Sequence, residues 1–156
     1  MKKFLIVLIV IWMGFIFSMS SENGEQSSNT SGKTIEIVLE AVPEKKEQPK
    51  KVKKDIVNEL QFIVRKSAHF IAYMILGILV GALVLNFLNI EKQFLLAWGV
   101  CVIYAMSDEF HQLFVPGRTC KLTDVLIDSS GSLLGICIVI IFVNQFKKLR
   151  NKTQLS

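Results

Sequence analysis

The sequence predicts an all-α fold, an integral membrane bundle of four transmembrane helices with a polar extracytoplasmic pocket. Three observations carry this expectation. Hydrophobic residues make up 51% of a 156-residue chain, too many for an ordinary soluble domain and enough for about four spans. They are gathered into runs separated by polar segments. Between the last two runs, the stretch from Ser107 to Asp128 sets ionisable groups at or inside helix ends, where lost hydration makes a charge costly and hence a functional signal.

The first run follows Lys2 and Lys3 and reaches Met19 without a charge, which is short for a hydrocarbon core of roughly 30 Å. Residues 1–19 fit a first transmembrane helix or signal anchor. The basic start, apolar centre and small-x-small end at Ser18, Met19 and Ser20 fit a cleaved signal peptide equally well. Either way Lys2 and Lys3 stay inside. Residues 20–54 are rich in Ser, Asn, Glu and Lys and carry Pro43 and Pro49, so they read as a polar extracytoplasmic linker without enough apolar surface to offset its ordering entropy. Within it, the alternation from Thr34 to Leu39 is a candidate strand or surface-lying segment, and Lys45 to Lys54 reads as a solvated charge run.

Residues 55–146 form a three-helix membrane core, with spans at about 69–88, 94–112 and 125–146. Residues 55–66 are amphipathic at helical spacing, with Ile56, Leu60 and Ile63 on one side, and are expected to lie on the membrane surface before turning in. Gly77 with Gly81, and Gly131 with Gly135, make small-xxx-small faces for close helix approach. A short turn is expected at residues 89–93. The third apolar run, 94–106, covers only about 20 Å at 1.5 Å per residue, so Ser107 to Gln112 must complete that span. The fourth run begins near Gly131, so Asp124 to Ser130 complete its entry. Residues 147–156 are a basic cytoplasmic tail. Basic residues at both ends place both termini in the cytoplasm.

Alternating spans put the start of the second, the end of the third and the start of the fourth on one face. Lys66, His69 and Tyr73 thereby meet Asp108, Glu109, Gln112, Arg118, Asp124 and Asp128, with Arg65 and His111 beside them. These are the candidate ligand-binding residues; as a structural alternative, the same charges pair across helices to hold their ends together. Val115-Pro116-Gly117-Arg118 reads as a tight turn. Glu109, the carboxylate whose depth is hardest to explain as structure, is the candidate general acid or base, with His69 as its expected partner. A metal site is conceivable because His and carboxylates converge, yet Glu109 and His111, two residues apart, point to different sides of a helix and no HExxH occurs, so none is expected. Three cysteines without CxxC spacing indicate neither zinc nor a disulfide framework. No cofactor motif occurs. The net charge of +5 flanks apolar runs without making a basic face, which argues against nucleic acid.

Arg65-Lys66-Ser67-Ala68-His69 with Tyr73, Ser107 to Gln112, Val115 to Arg118, Asp124-Val125 and Gly131 with Gly135 occur in an order that resembles the VanZ-like family of bacterial membrane proteins. The resemblance covers about Arg65 to Val143, and Phe17-Ser18 resembles the end of that family's first span, which favours an uncleaved anchor. It implies a four-span protein of the bacterial cell membrane and, for the family's namesake, resistance to teicoplanin, a lipid-tailed glycopeptide antibiotic directed at cell-wall precursors. Implied partners are a membrane lipid, a lipid-linked cell-wall precursor or a lipoglycopeptide. Cys120 stands where the family usually has a small or hydroxyl residue, and Asp128 where it usually has Asn. Two further readings stay open, an intramembrane enzyme acting on a lipid-linked envelope substrate and a non-catalytic assembly factor with a membrane-protein partner.

Overall fold

The computed structural model describes residues 2–23, 50–84 and 90–154 and is all-α, with four helices and no strand among these residues. The candidate strand from Thr34 to Leu39 lies outside them. The helices are α1 (Lys2–Ser21), α2 (Lys50–Val84), α3 (Ile90–Gln112) and α4 (Leu122–Gln154). Three segments are long and apolar enough to cross a membrane: Lys2–Ser21, Glu59–Val84 and Leu122–Asn151. Helix α3 is not among them, because Ser107, Asp108, Glu109 and His111 dilute its second half.

Two boundaries differ from expectation. The segment 55–66 does not turn into the following span: α2 runs unbroken for 35 residues, since neither proline nor glycine interrupts it before Gly77. The basic tail likewise continues α4 to Gln154, so this helix of 33 residues is about 50 Å long at 1.5 Å per residue.

The bundle is polar inside at one end and apolar outside along its length. The outer face of α3 exposes Leu95, Leu96, Val100, Ile103, Met106 and Phe110, although its inner face buries Asp108 and Glu109. The most extensive interface joins α2 to α4. There the backbones touch: a Cβ at Gly77 would meet the carbonyl of Ser132, one at Gly131 that of Phe70, and one at Gly135 that of Met74. Helix α1 is pinned by two long-range bonds, in which Trp12 Nε1 donates to the Ala72 carbonyl (2.9 Å) and the Tyr104 hydroxyl to the Met13 carbonyl (2.6 Å).

The α3–α4 connection sets the site. Helix α3 unwinds through i to i+3 bonds from Leu113, Phe114 and Val115 N–H groups. Pro116 and Gly117 then occupy the centre of a turn closed by Arg118 N donating to the Val115 carbonyl (3.1 Å). Gly117 has φ of 76°, the left-handed value that the second central position of a type II turn requires.

Candidate functional site

A cavity of about 20 Å³ lies where α2, α3, α4 and this turn meet, lined by Arg65, Lys66, His69, Glu109, Gln112, Arg118, Asp124, Ile127 and Asp128. Thus seven of the nine residues singled out as ligand-binding line one space, with Arg65 beside them. Tyr73 and Asp108 do not reach it. They sit one layer deeper, wholly or almost wholly buried, with Asp108 Oδ2 accepting from Ser20 Oγ at 2.7 Å and the Tyr73 ring 6.0 Å from that of Tyr104.

The pairings across the cavity follow helix rotation. Lys66 on α2 pairs with Asp124, which stands in the first turn of α4, where a carboxylate also meets the positive end of the helix dipole. Glu109 accepts the Lys121 backbone N–H through Oε1 (2.6 Å), so its carboxylate ties the end of the turn back to α3. Oε2 of Glu109 is buried and has no hydrogen-bond partner. His69 does not partner Glu109 as expected: its Nδ1 faces Asp128 Oδ2 at 3.8 Å, because one α-helical turn along α4 from Asp124 carries Asp128 opposite His69, just as Lys66 to His69 advances one turn on α2.

Arg118 turns from the carboxylates to backbone. Its Nε donates to the Glu22 carbonyl (3.0 Å) and Nη2 to that of Met19 (3.4 Å), placing a cation at the negative end of α1. Burial, and then the neighbouring Arg65, push the guanidinium below its ordinary pKa, against the pull of Glu22, Asp108 and Glu109. It stays charged, as guanidinium does in proteins.

The end of α1 therefore packs behind the site and holds Asp108, His111 and Arg118, a contact not expected from the sequence. Ser20 is fully buried against Asp108; Ser21 Oγ lies 3.2 Å from His111 Nε2; and Phe17 stacks on the His111 ring at 4.2 Å. His111 consequently faces α1 and not the cavity. The signal was present in Ser18, Ser20 and Ser21, since alternation of spans puts the end of the first on the same face as the end of the third.

A family model described as VanZ/LLP1 matches residues 4–143. No curated protein and no solved structure matches the chain. The match begins in α1 and ends in α4, so it takes in every helix that lines the cavity and the α1 helix packed behind them. With three helices long and apolar enough to cross a membrane and a family match over most of its length, the chain belongs to the VanZ/LLP1 family of multi-pass membrane proteins.

Proposed function

We propose that all four helices span the membrane, that the cavity opens on the extracytoplasmic side, and that it binds the charged head of an envelope lipid or lipid-linked molecule, lowering bacterial sensitivity to lipid-tailed glycopeptides such as teicoplanin. The observation that carries this reading is the meeting of Lys66, Arg65 and Arg118 with the unpartnered Glu109 Oε2 at one end of a bundle whose outside is apolar. Cations suit an anionic head, Glu109 suits an ammonium, and the surrounding apolar surface suits a tail. A span by α3 is supported by its apolar outer face, since its carboxylates point inward. The cavity holds about one water molecule and no head group. A ligand therefore enters by drawing Lys66 away from Asp124, exchanging one anionic partner for another.

In a glycopeptide-sensitive Gram-positive host, expression of the native protein is expected to raise the inhibitory concentration of teicoplanin more than that of a glycopeptide without a lipid tail, and Glu109→Gln at matched membrane level is expected to remove the effect. Equal protection against both drugs would assign the effect to their shared peptide target and sink the lipid-binding reading. No protection by the native protein would separate the fold from the activity of the family's namesake.

Orientation has its own test, because Cys120 is exposed in the α3–α4 connection whereas Cys101 is buried. A membrane-impermeant maleimide is expected to label intact cells, and Cys120→Ser to abolish that labelling. Labelling that requires lysis would place the cavity on the cytoplasmic side.

A further inference from the structure

Behind the cavity, three helices bring together groups that no sequence spacing connects. His69 of α2, Asp108 of α3 and Asp128 of α4 each present one ligand-type atom, and these atoms lie within 4.8 Å of one another. The two aspartates are each 2% exposed. Asp108 is held by Ser20 through Oδ2, which leaves Oδ1 buried without a hydrogen-bond partner. The Tyr73 hydroxyl, also buried, lies near enough to Asp108 to interact with its carboxylate and acts electrostatically on both aspartates, although no hydrogen bond of standard geometry joins it to either.

The nearby cations make their direct bonds elsewhere, although the charge of Arg118 still acts on Asp108. Lys66 is paired with Asp124, and Arg118 hydrogen-bonds to the backbone of α1. Two buried carboxylates therefore face one imidazole directly, and buried charge persists where it is paired or coordinates a metal. A divalent cation would balance both carboxylates and give Asp108 Oδ1 a partner of good geometry.

We propose that His69, Asp108 and Asp128 bind one divalent transition-metal ion of the zinc class. One imidazole and two carboxylates form a mixed nitrogen and oxygen set suited to a borderline ion, whereas calcium prefers six or more oxygens. Neighbouring ligands around a tetrahedral ion stand about 3.3 Å apart at metal–ligand distances of roughly 2 Å, so the three side chains close by up to about 1.5 Å on binding. His69 and Asp128 line the cavity and provide the entry path; the space beside them holds one water, which, or the Tyr73 hydroxyl, fills a fourth position. Ser20 orients Asp108 as outer groups orient metal-binding carboxylates. This inference rests on the inner cluster and not on the antibiotic reading, so each fails separately.

Full-length protein in detergent, stripped with chelator, is to be incubated with zinc or calcium, desalted and assayed for bound metal, with cobalt as a spectroscopic probe. The expected result is about one zinc per chain and little calcium. Asp108→Asn and Asp128→Asn, checked for a monodisperse elution profile, are expected to weaken zinc retention at least about tenfold, whereas His111→Gln, the chain's other histidine, keeps it. Asparagine at 108 still accepts from Ser20, so that variant retains its link to α1. Should either variant aggregate, the native protein decides the matter by its cobalt spectrum, in which intense visible bands at one equivalent are expected. The assignment is overturned by zinc far below one per chain with no cobalt bands, by full retention in both asparagine variants, or by loss in a monodisperse His111→Gln.

Discussion

Gly135→Val is expected to separate α2 from α4 and to cost the protein its folded state. A Cβ at this position would collide with the Met74 carbonyl oxygen and lie 2.9 Å from the Ile78 nitrogen. Both obstacles are backbone, so no side-chain rotation relieves them. Overpacking a core by forcing side chains aside costs about 1–3 kcal/mol; moving two backbones apart across the largest interface exceeds the upper end of that range. Even Gly135→Ala should lower the thermal midpoint of the detergent-solubilised protein by several degrees, and Gly131→Ala and Gly77→Ala should behave alike. Gly81→Ala makes the contrast. A Cβ there stands 3.6 Å from Ile136 Cα, an ordinary contact, and alanine gains up to about 1 kcal/mol in helix propensity. A midpoint for Gly135→Ala equal to that of Gly81→Ala would show that the backbones do not touch.

Glu109 variants are expected to separate stability from function. Glu109→Ala removes the acceptor for Lys121 N–H and frees the end of the turn that closes the cavity. A hydrogen bond to a charged group contributes about 1.5–3 kcal/mol, partly offset here by removal of a carboxylate oxygen that is buried without a partner, so a net loss of roughly 1 kcal/mol follows. Glu109→Gln keeps a carbonyl oxygen for Lys121 and replaces the unpartnered anionic oxygen by a neutral amide, so its stability stays near that of the native protein. Both variants should abolish teicoplanin protection if the charge of Glu109 binds the ligand. Thermal unfolding followed by circular dichroism checks the first statement, drug susceptibility the second. A Glu109→Gln protein that is fully stable and still protective would remove Glu109 from the binding groups.

Sequence alone determined what depends on local order. Apolar runs longer than two helical turns, bounded by charge, marked the four helices, because each helix satisfies its own backbone. Pro116 and Gly117 marked the turn, since one cannot continue a helix and the other alone adopts positive φ at little cost. The spacing of Gly131 and Gly135 marked a close-packing face, although it did not distinguish Gly77, which is in backbone contact, from Gly81, which is not. Alternation of spans also gathered Lys66, His69, Glu109, Arg118, Asp124 and Asp128 at one end of the bundle. Tertiary structure decided the partners. Whether His69 faces Glu109 or Asp128, whether Arg118 meets a carboxylate or the end of α1, and whether Ser20 touches Asp108 depend on the rotation and axial offset of one helix against another. Periodicity names a face but not its neighbour: those offsets come from side-chain and backbone packing between segments far apart in the chain.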